Sequence, residues 1–231
     1  MIMEPVIAGA FYPGDPSILR TQIEKFLKKA VVENKYKNTL GIVSPHAGYT
    51  YSGQCAAYGF NVLKQKDFDL AVIIAPSHRH IGFWWSVGNF EAYRTPLGLA
   101  TVHTESAEQL LDKEGFVFLP EVYKSENSLE VQIPFVQVIK PKAEILPILI
   151  GNQSRENSSY LAQHLAELLK DRLDKTVFIA SSDLSHYHNS NTATEMDTKL
   201  AELVLAGDVK NLVKNIETRA VEACGFGSIL T

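Results

Sequence analysis

Histidine, aspartate and serine side chains follow apolar runs at several places in the chain. The stretch SSDLSH, from Ser181 to His186, follows TVFIA, while His46 comes shortly after LGIVS and His78 shortly after LAVIIAP. Imidazole and carboxylate groups bind transition metals and also act as general acids and bases. Each signal has a structural alternative: His46 as a loop histidine bonded to backbone, and Asp183 as the cap of a following turn.

The apolar runs themselves indicate buried strands. They predict strands over Leu40–Val43, Leu70–Ala75, Ile145–Ile150 and Thr176–Ala180. Each run is almost continuously apolar, which is typical of a parallel sheet covered by helices on both faces. Helical spacing predicts helices after Asp15-Pro16-Ser17 and over Ser52–Leu63, Arg155–Leu169 and Thr194–Leu205. The alternation predicts a single α/β domain over residues 1–231, with a central, mostly parallel sheet flanked by helices.

Ligands of open α/β sheets bind beyond the carboxyl ends of the strands. We therefore expect His46, His78, Asp183 and His186 to converge at one edge of the sheet. His186 follows Asp183 by three residues, which is one turn if the segment is helical. Two histidines with Asp183 form the set that Fe(II) favours. His80, beside His78, is interpreted as solvent-facing or as a residue behind the ligands.

Cys224 lies in the stretch AVEACGFGSI and allows two interpretations. A lone cysteine usually behaves as a small buried apolar residue. The flanking Gly225 and Gly227 instead indicate a bend where the backbone approaches another group closely. If Cys224 joined two histidines, the set would suit copper or zinc better than iron. Cys55, inside a predicted helix, is interpreted as a packing residue.

The stretch ENSLE predicts the start of a helix. Asn127 or Ser128 is the expected cap, with Glu130 in the first turn. Glu126 has two candidate functions: acid–base catalysis, or a hydrogen bond to a metal-binding histidine. Tyr49 is expected either to line the cleft or to pack in the core.

Composition argues against several classes of protein. The 231 residues carry a net charge of −4 and no polybasic patch, so we predict no nucleic-acid partner. The apolar runs are far shorter than the roughly 20 residues of a membrane helix, and the N-terminus has no signal-peptide pattern. Two cysteines in a chain of this length favour a reducing compartment, and we expect a cytoplasmic protein. The absence of a G-x-S-x-G motif gives a serine hydrolase little support.

Seven stretches, in order along nearly the whole chain, carry a family resemblance: AGAFYPGD, PHAGYTYSG, APSHRH, YRTPLG, ENSLEVQIPF, SSDLSHY and ACGFGSI. In these seven stretches the chain resembles the Memo family. The resemblance implies an α/β domain like that of class III extradiol ring-cleaving dioxygenases, which use non-haem iron. It implies His46, His78 and Cys224 as metal ligands, with Asp183 and His186 beside them. The family is linked to copper or iron binding, to redox chemistry and to phosphotyrosine-peptide binding.

Two features depart from the family pattern. Asn127 stands where the family usually has histidine, and an amide does not titrate near neutral pH. The chain also stops at Thr231, soon after ACGFGSI, so we expect a domain shortened at its C-terminus. Such a domain would expose a sheet edge or rely on a protein partner or a second copy.

These observations lead to a prediction and to two alternatives. The prediction is a redox or oxygen-using enzyme that holds a divalent iron or copper ion, with zinc as a further candidate and no organic cofactor. Its predicted catalytic residues are Asp183, His186 and Glu126. The first alternative is a non-catalytic module for a peptide or an anionic small molecule, with Arg79 as the charge partner and Asn127 in the cleft. The second is a scaffold that works only within a complex.

Overall fold

The computed structural model describes residues 1–33 and 38–231. Within these ranges the strands are β1 (Ile2–Met3), β2 (Gly41–Ser44), β3 (Leu70–Pro76), β4 (Trp85–Val87), β5 (Ala92–Thr95), β6 (Gly98–Thr101), β7 (Phe116–Val117), β8 (Glu144–Ile150) and β9 (Thr176–Ser181). The α-helices are α1 (Pro16–Lys29), α2 (Tyr49–Leu63), α3 (Thr104–Leu111), α4 (Pro120–Tyr123), α5 (Ile133–Ile139), α6 (Arg155–Leu169), α7 (Ser190–Leu205), α8 (Val209–Glu217) and α9 (Phe226–Leu230).

The main sheet has six strands in the order β2-β9-β3-β8-β4-β7. Strands β2, β9, β3 and β8 are parallel, whereas β4 runs antiparallel to β8. The four parallel strands are the four that the apolar runs predict, and the α/β fold with a mostly parallel sheet is confirmed. A second sheet, β1-β5-β6, was not predicted. It consists of strands of two to four residues, which leave little periodic signal in the sequence.

The core lies on both faces of the main sheet because successive side chains of a strand point to opposite faces. On β3, Ala71, Ile73 and Ala75 belong to the cluster that includes apolar residues of α1, α2 and α5. The alternate residues Leu70, Val72 and Ile74 pack with residues of α3 and α6. Both clusters include residues buried completely, as expected for a sheet between two helical layers.

Helix starts agree with the predictions at one end of the chain and differ in the middle. Asp15 caps α1 by accepting hydrogen bonds from the backbone of Ser17 and Ile18. The predicted cap at Asn127 or Ser128 is wrong: Glu130 begins a 3-10 turn, and neither side chain caps it. Both side chains instead reach groups distant in sequence, at the carboxyl edge of the sheet.

No helix within the described ranges has both the length and the apolar character that crossing a bilayer requires.

Candidate metal centre

Three loops bring His46, His78 and Cys224 together at the carboxyl edge of the sheet. His46 lies two residues after β2 and His78 two residues after β3, while Cys224 precedes α9. The two imidazole rings meet edge to face, with 5.2 Å between their centroids. One potential ligand atom from each of the three residues lies within 4.8 Å of the other two. The parallel strands therefore place the two predicted histidines side by side.

The His46 ring is buried, with only 3% of its side chain exposed. Its Nδ1 atom lies 2.9 Å from Ser181 Oγ, at the end of β9. Its Nε2 atom faces the other way and lies 3.1 Å from Cys224 Sγ. The ring is thus held from behind, with Nε2 presented to the cluster.

The His78 ring is held by a carboxylate. Its Nδ1 lies 2.9 Å from Glu126 Oε1, and its backbone N–H donates to Glu126 Oε2 at 2.6 Å. The backbone N–H of Ser128 also donates to Glu126, at 3.0 Å. Glu126 is buried and both of its oxygens are occupied. It therefore makes the hydrogen bond to a candidate ligand histidine, which was one of its two interpretations, and does not face the cleft.

The charges of the cluster favour an imidazolium–thiolate pair. Burial raises the pKa of Cys224, but hydrogen bonds with His46 and His78 outweigh burial and lower the pKa to about 6. The Cys224 thiol group and the Glu126 carboxylate together raise the pKa of His78 to about 10. Burial raises the pKa of Glu126, yet its hydrogen bonds with His78 bring that pKa down to about 2. In the metal-free protein at neutral pH, a thiolate therefore faces a protonated His78.

The position of Cys224 depends on the glycine that follows it. A Cβ atom on Gly225 would lie 2.2 Å from the backbone oxygen of Ser181, so only glycine fits without a shift. The backbone N–H of Asp183 donates to Cys224 Sγ at 3.2 Å, and Gln153 donates to the Cys224 carbonyl at 2.8 Å. The close backbone approach predicted from the flanking glycines is confirmed. Cys55 is exposed on α2.

Asp183 lies beside the cluster, and His186 lies farther out. Asp183 Oδ1 accepts the backbone N–H of His46 at 2.8 Å, and Oδ2 lies 3.8 Å from His46 Nε2. Residues 182–189 form a loop, so the segment is not helical and Asp183 and His186 are not one helical turn apart. His186 is exposed and lines a shallow pocket of about 300 Å³ with Arg219, Glu222 and Cys224.

The other three predicted cleft residues have different surroundings. Tyr49 is buried in the core, where its hydroxyl donates to the Val131 carbonyl at 2.7 Å. Of the two positions expected for Tyr49, the cleft wall and the core, the structure shows the core. Arg79 is exposed beside His78. Asn127 donates from Nδ2 to the His46 carbonyl at 3.1 Å, so it supports the loop that carries His46.

The residues behind His46 were not predicted from the sequence. Ser181 Oγ contacts His46, and Gln132 Nε2 donates to the same oxygen at 2.9 Å. Ser181 in turn donates to the Ser128 carbonyl at 2.6 Å. Serine and glutamine give no distinctive motif at these positions, and their partners are 49 to 135 residues away along the chain. Only the end-of-strand position of Ser181 pointed to the site.

Comparison with known sequences identifies the family of the chain. The family model described as Memo-like protein matches residues 3–231. The chain is 34% identical to a MEMO1 family protein of Nitrosopumilus maritimus, covering 99% of this chain and 85% of that protein. It is 36% identical to one of Methanosarcina barkeri, covering 98% and 83%. The match to one of Thermotoga maritima is 34% identical and covers 100% and 87%. The chain belongs to the Memo-like protein family.

Proposed function

We propose that the protein is a copper-binding redox enzyme whose metal is held by His46, His78 and Cys224. The observation that supports this proposal is the cluster of two imidazoles and one thiol at the carboxyl edge of the sheet. Zinc is the second candidate for the same ligands, and iron the third.

The donor atoms favour copper over iron. A thiolate is a soft ligand that selects copper or zinc, while imidazole nitrogen suits both of these metals and iron. The set preferred by Fe(II) would need Asp183 in place of Cys224. Asp183 Oδ1 is occupied by the His46 backbone, whereas the Cys224 sulfur lies within the cluster. The lowered pKa of Cys224, about 6, supplies the deprotonated ligand near neutral pH.

The surrounding residues fit a site that binds a metal cation and also accepts or releases protons. Copper supplies one-electron redox chemistry when it is bound. Loss of the proton from His78 Nε2 frees that nitrogen, since Nδ1 remains bonded to Glu126. The Asp183 side chain is 24% exposed and lies beside His46 Nε2, so we assign it as the proton acceptor for a bound substrate.

Metal analysis with matched variants tests this proposal. The untagged protein is purified without chelators and titrated with Cu⁺, Zn²⁺ and Fe²⁺, each against a competing chelator. The test variants are Cys224→Ser and His78→Ala. The matched controls are Cys55→Ser, which changes the exposed cysteine, and His80→Ala, which changes the exposed histidine two residues from His78.

We expect the parent and both controls to bind one equivalent of copper most tightly. Each test variant removes a proposed ligand, so its loss of affinity should exceed the roughly 10- to 100-fold that removal of a residue behind a ligand costs. Parent-like copper affinity in Cys224→Ser would contradict the assignment of the thiolate. The redox component is tested separately by reduction and reoxidation of the copper-loaded parent. If copper binds tightly but cannot be reduced and reoxidised, the proposed metal site stands and the proposed redox function is wrong.

A binding module is the second candidate, and the pocket beside Cys224 favours it. Arg219 lies on that pocket, and Ile216 and Val221 form apolar parts of its lining. The acidic residue of the lining, Glu222, is paired with His188 at 3.0 Å, so Arg219 is the group that would bind the charge of an anionic molecule with an apolar body. Calorimetry with aromatic carboxylates and their neutral amides tests this candidate. Selective binding of the carboxylates to the copper-depleted parent, lost in Arg219→Gln, would support it. Equal heats for acid and amide would contradict it.

A further inference from the structure

We propose that the segment Glu126–Gln132 orients both imidazoles of the candidate metal centre, and that Ser181 is the positioning residue through which it acts on His46. The segment supplies no atom to the cluster of His46, His78 and Cys224. Its importance for metal binding rests on the proposed function, while its effect on the His46 ring does not.

The hydrogen bonds of Ser181 fix the proton on His46. A serine hydroxyl has one hydrogen to donate, and Ser181 donates it to the Ser128 carbonyl at 2.6 Å. Ser181 Oγ must therefore accept from its other two neighbours, Gln132 Nε2 and His46 Nδ1, both at 2.9 Å. His46 consequently carries a hydrogen on Nδ1. Nε2, which lies 3.1 Å from Cys224 Sγ, is then the nitrogen of His46 that a metal in the cluster would bind.

The direction of the Gln132 amide is fixed in the same way. Its Nε2 also lies 3.0 Å from the Pro45 carbonyl, which can only accept. The amide nitrogen, and not its oxygen, must therefore face both Pro45 and Ser181. Gln132 thus prevents Ser181 from turning its hydrogen away from Ser128, and the chain of donors ends at a backbone carbonyl.

The other end of the segment sets the second ring. Glu126 accepts from His78 Nδ1 and from the backbone of His78 and Ser128. A carboxylate has no hydrogen to give, so His78 Nδ1 is the donor and Nε2 is the nitrogen that remains for a ligand. One segment of seven residues therefore specifies the same arrangement, Nδ1–H behind and Nε2 in front, for both histidines.

The segment is itself held rigidly. Glu130 accepts hydrogen bonds from Tyr12 Oη at 2.5 Å and from the backbone of Val6 at 2.9 Å. Ser128 Oγ donates to the Pro76 carbonyl at 2.7 Å, at the end of the strand that leads to His78. Apart from Asn127, every residue from Glu126 to Gln132 is buried. The orientation of the imidazoles is therefore set when the chain folds, before any ligand binds.

The variant Ser181→Ala tests the proposal, with Ser44→Ala as its control. Ser44 pairs with Ser181 across β2 and β9, is equally buried, and has no hydrogen-bond partner for its Oγ within residues 1–33 and 38–231. The control thus removes the same atom from the neighbouring strand without touching His46. Nitrogen-15 spectra of the metal-free proteins report which ring nitrogen of His46 carries hydrogen, and competition titration reports Zn²⁺ affinity.

We expect the parent and Ser44→Ala to show His46 with a protonated Nδ1. In Ser181→Ala, Nδ1 should no longer be the protonated nitrogen in every His46 ring. The variant should also bind Zn²⁺ 10- to 100-fold more weakly, the usual effect of removing a residue behind a ligand histidine. Ser181→Thr restores the hydroxyl and should recover both properties. A purely structural role would change the melting temperature and leave the ring form unchanged.

Two results would overturn the proposal. The first is a spectrum of the parent in which Nε2 of His46 carries the hydrogen and Nδ1 does not. This measurement uses the parent alone, so it does not depend on whether any variant folds. The second is parent-like Zn²⁺ affinity in a folded Ser181→Ala. If the parent binds neither zinc nor copper, the proposed function fails, and the spectra still decide whether Ser181 fixes the ring.

Discussion

The two histidines occupy equivalent positions, each two residues after a parallel strand, with β9 between the two strands, yet their surroundings differ. His46 is 3% exposed and rests on the neutral hydroxyl of Ser181, while His78 is 39% exposed and rests on the Glu126 carboxylate. A carboxylate increases the basicity of the ring it contacts more than a hydroxyl does. His78 is therefore the stronger electron donor, and His46 the more rigidly placed one.

This difference follows from where each ring lies. A buried ring is confined by packing, so one neutral acceptor is enough to set its orientation. A ring that is more than a third exposed can also bond to water, and a charge-assisted hydrogen bond keeps it in place. Two imidazoles of one site thus have the same arrangement of ring nitrogens, with Nδ1 bonded behind and Nε2 facing the cluster, through different interactions.

The largest expected effect distinguishes the two supports directly. Glu126→Gln removes the charge behind His78 and should lower Zn²⁺ affinity by about 100-fold, the upper end for such a residue. The loss should exceed that of Ser181→Ala, because only Glu126 contributes charge. Glu121→Gln, at an exposed glutamate of α4, is the control. Competition titration measures all three, and a smaller loss in Glu126→Gln than in Ser181→Ala would reverse the comparison.

A second prediction concerns the Cys224 thiol, which lies 3.1 Å from His46 Nε2. Gly225→Ala forces a Cβ atom against the Ser181 carbonyl and should destabilise the protein by about 2 kcal/mol, as overpacking does. It should also displace Cys224 and weaken Zn²⁺ binding. Gly82→Ala meets no atom within 4 Å and should stay within about 0.5 kcal/mol of the parent. Urea unfolding gives both values. Equal stability of the two variants would contradict this prediction, because it would mean that the backbone around Gly225 can shift away from the Ser181 carbonyl at little cost in free energy.

The third prediction uses pH to isolate the His78 side. Glu126 has a pKa lowered to about 2, so its contribution to metal-free stability is present above pH 4.5 and is lost as pH falls toward 2. His78 has a pKa raised to about 10, so its contribution is complete below pH 6.5 and is lost as pH rises through 10. The stability difference between the parent and Glu126→Gln should therefore be largest between pH 4.5 and 6.5.

Chemical unfolding of both proteins in the presence of a chelator measures this difference at each pH. Cys224 is present in both, so its own titration largely cancels. A difference for Glu126→Gln that stays constant from pH 3 to pH 10 would show that no ion pair supports His78.

The smallest effect is expected at Asn127. Its amide donates to the His46 carbonyl and touches neither ring in the way that Ser181 and Glu126 do. Asn127→Ala should therefore cost about 1 kcal/mol in stability, the value of one hydrogen bond, with Zn²⁺ affinity close to that of the parent. Thermal unfolding and the same titration check this. A tenfold loss of affinity would place Asn127 among the positioning residues.

Much of the fold follows from the apolar pattern. The runs from Leu70 and Thr176 predict buried strands because parallel strands covered on both faces need apolar residues at every position. Helix α6 was predicted over the range Arg155–Leu169 that the structure gives. The strands of the small sheet, such as Ile2–Met3, are too short for any periodicity to indicate them.

The site was predictable only in part. Parallel strands imply that residues after β2 and β3 lie close together, and the 5.2 Å between the rings of His46 and His78 agrees with this. Cys224 follows no strand of the sheet, and its approach depends on the contact between Gly225 and Ser181. Hydrogen bonds between distant polar residues, such as Gln132 to Ser181, have no local pattern that a sequence could display.

The three-ligand site is tested most directly by a crystal structure of the copper-loaded protein with anomalous data collected on both sides of the copper absorption edge. We expect one copper peak in bonding contact with Nε2 of His46, Nε2 of His78 and Sγ of Cys224, with Glu126 and Ser181 still bonded to the Nδ1 atoms. A copper peak coordinated through Nδ1 of either ring, or bound only to other residues, would contradict it.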